Sequence, residues 1–216
     1  MYTVNAWLST LSETTKVRGN LVILQALYFK FRHFQYTKTL AASNEKIHEM
    51  KDLAKKENEL YSLVIEIYKE NLDKETDERL GAIFKAYLDL FDEYLKFAKT
   101  NDEALKRALF IHWYSISEPN YLSGIPELHL QRERNILQLL ESRIANSSLD
   151  AELNWMLNYY GTWDYIYNRF PELTELNKLI RNRSNKNFPT KINKDEMQKR
   201  GQMGKYWNSL NKFASR

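Results

Sequence analysis

A chain of 216 residues with 43% hydrophobic and 28% charged residues, six Gly and four Pro has the make-up of an ordinary globular protein and argues against a loop-rich or low-complexity chain. It is long enough to bury about 70% of its unfolded surface, and the absence of cysteine removes disulfides, thiolate metal sites and a Cys nucleophile together. The net charge of +4 hides an asymmetry, because residues 181–216 carry ten Lys or Arg against two Asp or Glu, whereas residues 1–180 carry twenty-two against twenty-six.

Helical spacing of apolar residues runs through most of the chain. A first turn around Ala6 to Leu11 leads at Thr14 or Thr15 into a long helix through about Ala42, whose stretch Leu21, Val22, Ile23, Leu24, Leu27, Phe29, Phe31 and Phe34 is apolar on most faces and reads as the central element. That apolar stretch, broken by Gln25 and Lys30, is too short to span a bilayer, and Met1 to Asn5 carries no secretory pattern. Ser43 and Asn44 suit the cap of a second helix through about Leu72, with Ile47, Met50, Ala54, Tyr61, Val64 and Tyr68 on one face. A third is expected over Thr76 to Lys99, pairing with the second as an antiparallel hairpin.

Thr100 with Glu103 reads as a capping box opening the helix of Leu105, Leu109, His112 and Ile116. Ser117 to Ile125 is the main interior loop, and Pro126 is expected as the first residue of a helix through about Asn146. Ser147 with Asp150 reads as a second capping box, before an aromatic-rich helix to Phe170 with Gly161 as a kink. Pro171 is expected to start the last clear helix, through about Arg181. The tripeptide Pro-Glu-Leu recurs at 126 and 171, but the sequences between do not match, so it reflects helix-start chemistry rather than a repeat.

Four groups of residues carry candidate chemistry. Arg107-Ala108-Leu109-Phe110-Ile111-His112 resembles the Arg, four to six residues, His signature of HEPN domains, all-helical domains many of which are RNases that pair across a dimer. The resemblance, over those six residues, implies that Arg107 and His112 act on a ribose hydroxyl and a scissile phosphate. The competing reading places Leu105, Ala108, Leu109, His112 and Ile116 on one helical face, with His112 a core histidine beside Trp113, and that reading is preferred. Glu45 and His48 make one Glu-x-x-His step of the di-iron type, but no second step exists, and His129 with Glu133 is a metal-compatible spacing without further ligands, so no metal or other cofactor is expected. Asp89-Leu90-Phe91-Asp92-Glu93 is similar to the acidic diphosphate motif of terpene synthases; with no second metal motif it reads as a solvated face whose Asp89 and Asp92 pair with Lys85 and Lys96.

Aromatics at 155, 159, 160, 163, 165, 167 and 170 are too many for one buried stripe and read as core with an outward remainder. The last group is basic: Arg181, Arg183, Lys186, Lys191, Lys199, Arg200 and Lys205, with Tyr206 and Trp207 interleaved, which suits phosphate contacts and base stacking or an arm docked on the body.

Together these features predict an all-α protein, an antiparallel bundle of about seven helices over 1–182 with two halves meeting near 99–102, followed by a basic aromatic arm over 183–216. The expected function is that of a non-enzymatic, cytoplasmic interaction or regulatory protein without membrane insertion, whose arm and exposed aromatics bind an acidic protein or nucleic acid. A HEPN-like RNase using Arg107 and His112 is the alternative, and a helical pocket for a small hydrophobic ligand the second; a homodimer is left open.

Overall fold

The computed structural model describes residues 48–69, 74–182 and 193–210, and these are all-α, with no strand among them. The chain divides into two compact units, Met1–Glu49 and Met50–Arg216, and of the first only the last two residues, already helical, are described. The expected long apolar helix to Ala42 and the cap at Ser43 and Asn44 lie outside the described residues, as do Arg183, Lys186 and Lys191.

The described helices are α1 (48–67), α2 (Lys74–Ala98), α3 (Asp102–Ser117), α4 (Asn120–Ser123), α5 (Leu130–Ala145), α6 (Ala151–Tyr160), α7 (Tyr165–Asn168), α8 (Thr174–Arg181), α9 (Lys194–Gln198) and α10 (Gly201–Leu210). The three residues between α2 and α3 fold these two into an antiparallel pair, which makes α3 the enclosed centre of the unit. Every residue from Ala104 to Trp113 is buried, Lys106, Arg107 and His112 included. Around α3 stand Tyr87, Leu90, Phe91 and Tyr94 of α2, Ile136, Leu137 and Leu140 of α5, and Leu153, Met156 and Tyr160 of α6, all within one core.

Helix boundaries depart from the sequence expectation in an instructive way. Asn101, not Thr100, caps α3, its side chain accepting from the Ala104 amide at 3.0 Å, which leaves Glu103 available for ion pairs. Ser147 stands in the left-handed region at φ 51° and closes α5 rather than opening α6, whose cap is Asp150, accepting from Leu153 at 2.7 Å. Pro126 and Pro171 do not start helices: α5 begins at Leu130 and α8 at Thr174. The strap after α4 lays Ile125 and Leu128 onto the core before α5 can begin. For α8 the unpaired first-turn amides of Glu175 and Leu176 are taken by the Glu141 carboxylate of α5, at 2.9 and 2.6 Å.

The C-terminal segment is part of the same core. Trp207 is fully buried, in edge contact with Trp155 and Tyr159 at ring-centroid distances of 4.6 and 5.0 Å, and the ring of Trp113 stacks on Tyr160 at 4.8 Å. The aromatics of 155–170 divide as the sequence suggests: Tyr160, Tyr167 and Phe170 are buried, Trp155, Tyr159 and Trp163 half-buried, and Tyr165 exposed.

Glycine discriminates two environments. Gly201 holds φ 62°, and a Cβ there would sit 2.3 Å from the Glu57 carboxyl carbon; Gly81 lies on an open face of α2 with nothing within 4 Å. The same substitution therefore has opposite signs. Gly81→Ala is expected to stabilise by about 0.5–1 kcal/mol, whereas Gly201→Ala is expected to cost more than the roughly 1–2 kcal/mol of the left-handed backbone alone, both read as shifts in the urea midpoint.

Candidate functional site

The basic residues singled out in the C-terminal segment have divergent placements. Arg181, at the end of α8, and Lys199, after α9, are exposed, as is Lys194. Lys205 lies with its Nζ 4.6 Å from the centre of the Tyr61 ring, and burial lowers the affinity of its amine for a proton. Arg200 is turned into the fold: its Nε donates to Glu103 at 2.8 Å and its Nη1 to Glu152 at 2.6 Å. The hydroxyl of Tyr206 lies 2.6 Å from that of Tyr159, and Trp207 is enclosed as described. Arg200 and Trp207 thus hold the segment to the body.

What receives the segment is a carboxylate that sequence reading passed over. Glu57 of α1 is wholly buried, and its Oε1 accepts the amides of Gln202 and Met203, at 2.6 and 3.4 Å, in the first turn of α10. Its Oε2 accepts the Tyr94 hydroxyl at 2.8 Å and lies 3.8 Å from Nη1 of Arg107. Burial pushes this carboxyl above the usual range, against the pull of Arg107, Tyr94 and the two amides. Gln202 completes the joint by accepting from Tyr87 at 2.7 Å and donating to the Ser123 carbonyl at 3.1 Å. One signal for Glu57 exists in the sequence: it falls on the apolar stripe of Met50, Ala54, Leu60 and Val64, where a charge must find a partner.

From Glu57 the charges alternate. Arg107 donates to Glu103 at 2.8 Å, and Glu103 and Glu152 share Arg200; Glu152 with Asp150 then takes Lys106, at 2.7 and 2.5 Å. Desolvation works against each buried cation, yet the carboxylates hold Lys106, Arg107 and Arg200 above their ordinary values. Arg107 also reaches the Tyr94 hydroxyl and the Lys199 carbonyl, at 3.1 and 3.4 Å.

His112 belongs to a separate network. It is fully buried, its Nε2 lies 3.0 Å from Oε2 of Glu133, and its Nδ1 has no hydrogen-bond partner among the described residues. Arg169, 45% exposed at its side chain, donates to the same Glu133 oxygen. Burial alone would raise the Glu133 carboxyl, but His112 and Arg169 prevail and hold it below the usual carboxylate range. Arg107 and His112, paired by the HEPN resemblance, therefore have no partner in common among the described residues. Glu133 and Arg169 open onto a cleft of about 490 Å³ between the end of α3, the loop after it and the start of α5, and its lining is mainly polar.

The remaining candidates resolve as structural contacts. Asp92 accepts a bidentate pair from Arg132 at 2.8 and 2.7 Å, and Lys96 pairs with Glu93 at 2.6 Å rather than with Asp92. Glu133 faces His112, not His129, and no group of three or more His, Asp or Glu suited to a metal ion occurs among the described residues. No described helix is long and apolar enough to cross a membrane. No protein-family model, curated protein or solved structure matches the chain.

Because Glu133 ionises more readily in the folded chain than in an unfolded one, its stabilisation is complete above about pH 4.3 and drains as pH falls through the depressed value. Glu133→Gln is expected to cost about 1–3 kcal/mol near neutral pH and much less near pH 3. Urea midpoints at the two pH values check this, and an equal loss at both would refute it.

Proposed function

We propose that the protein is a non-enzymatic helical interaction protein that engages an anionic partner, an acidic protein face or a nucleic acid, through its basic C-terminal residues. The observation that carries this reading is a division of labour among those residues. Arg200 is neutralised internally by Glu103 and Glu152, whereas Arg181, Lys194 and Lys199 are exposed and form no ion pair among the described residues. An exposed cation without an internal carboxylate gains from an external anion without first breaking an ion pair. Anchoring of α10 through Glu57 and Trp207 supports the same reading, because Lys194 and Lys199 then project from a fixed scaffold and lose less entropy on binding. Tyr121 and Tyr165, each 52% exposed, offer aromatic surface for additional contact.

The test is titration of the full chain against labelled single-stranded RNA, double-stranded DNA and an Asp/Glu-rich peptide at low and moderate salt. Binding to at least one is expected, weakening as salt rises. In the triple variant Arg181→Glu, Lys194→Glu, Lys199→Glu, the slope of log affinity against log salt for a nucleic acid is expected to fall by about 3 with the thermal midpoint unchanged. Absence of binding to all three probes overturns the reading.

A further inference from the structure

Two phenols from distant parts of the chain meet at the seam between α6 and α10. The hydroxyl oxygens of Tyr159 and Tyr206, 47 positions apart in sequence, lie 2.6 Å from each other. Their ring centres are 6.3 Å apart, with 59° between the planes. Phenols joined end to end through such a hydrogen bond would hold their centres further apart, so these rings fold toward each other and the carbons flanking each hydroxyl approach. Both residues are half-buried, which holds them in place without sealing them from solution.

The surroundings suit this pair to one-electron oxidation. The chain contains no cysteine, so no thiol of its own competes for an oxidant, and Met50, Met156, Met197 and Met203 are buried. Trp163 is half-buried and serves as an entry point: its ring centre is 5.4 Å from Tyr159 and 5.1 Å from Trp113, and Trp113 is 5.2 Å from Tyr206. An electron vacancy created on Trp163 therefore reaches either phenol through ring contacts alone. Burial pushes both phenols above their ordinary range, so each is a neutral phenol that gives up its proton together with its electron.

We propose that Tyr159 and Tyr206 form a cross-linking site, joined as dityrosine when a diffusible one-electron oxidant reaches the protein. Each phenol gives one electron to the oxidant and its hydroxyl proton to water, and the two phenoxyl radicals pair to form a Cε–Cε bond. The hydrogens on those two carbons then leave as protons while the two oxygens take protons back. Two equivalents of oxidant are reduced, and the chain is lighter by two hydrogens. Fixed proximity favours this bond over coupling between separate chains. The link fastens α10 to α6 and closes the intervening chain into a loop, which removes freedom from the unfolded state. The proposal is independent of the anionic-partner reading, which rests on Arg181, Lys194 and Lys199.

The full chain, kept dilute, is illuminated with ruthenium tris(bipyridine) and persulfate, and the monomer is analysed by fluorescence and by mass spectrometry of its peptides. Dityrosine emission from the monomer is expected, with a cross-linked peptide pair holding Tyr159 and Tyr206 and a urea midpoint above that of the untreated chain. Tyr159→Phe and Tyr206→Phe are each expected to lower the dityrosine yield of the monomer at least about tenfold, whereas Tyr165→Phe, at an exposed ring, leaves it unchanged. Tyr114, its ring centre 5.3 Å from that of Tyr206, is the competing partner. Mapping the link in the unaltered chain makes the outcome independent of how the variants fold. Three results would each overturn the proposal: a link mapped to Tyr114 or to any other pair, dityrosine confined to chain dimers, or no dityrosine under illumination that oxidises the tryptophans.

Discussion

A carboxylate without access to water has to be answered by charge or by hydrogen bonds, and in this fold the most severe case is Glu57. Its answer comes from 145 residues away, in the first amides of α10. Gly201 makes the approach possible, since any side chain at that position would occupy the volume of the carboxylate itself. Arg107 and Tyr94 close the other side. Once α10 is seated, Arg200 falls between Glu103 and Glu152, which in turn satisfy Arg107 and Lys106 on the buried centre of α3. A chain of alternating charges thereby links α1, α3, α6 and the C-terminal segment, and each member is tolerable only because the next is present.

The aromatic layer depends on that seating. Trp207 reaches Trp155, Tyr159 and Tyr160 from α10, and Tyr206 meets Tyr159 through its hydroxyl and Trp113 through its ring. Such rings contribute large apolar area at low entropic cost, but only with the helix already aimed. The polar joint sets the register of the segment, and the aromatic contact supplies most of its adhesion.

The helical class and the spans of α2 and α3 were legible within about a turn because each has a strong apolar period and a side-chain cap of its own or a short link before it, whereas the helix expected to run to Phe170 ends at Tyr160, with α7 a separate turn. Helix starts at Pro126 and Pro171 were misread because capping chemistry was sought nearby in sequence. α8 starts where Glu141 reaches its amides, and α10 where Glu57 does; carboxylates supplied by a distant helix leave no local mark. Glu133 was visible only as a spacing partner of His129, whereas its contacts are with His112 of α3 and Arg169 just after α7. The cleft was not legible at all, since its walls come from α3, the following loop, α5 and the residue after α7. For the basic segment, composition showed the charge but not its division: Arg200 and Lys199 are neighbours in sequence, one an internal counter-ion and the other open to water.

The joint between Glu57 and α10 has a consequence for how the polypeptide is made. Synthesis proceeds from the N-terminus, so α1, α2 and α3 emerge long before Gln202 exists. Until α10 leaves the ribosome, Glu57 has only Arg107 and Tyr94 for compensation, and the groove meant for Trp207 stays uncovered. Native closure therefore waits for translation of α10, and a nascent chain stalled short of it presents to chaperones and proteases a surface that the folded unit never shows.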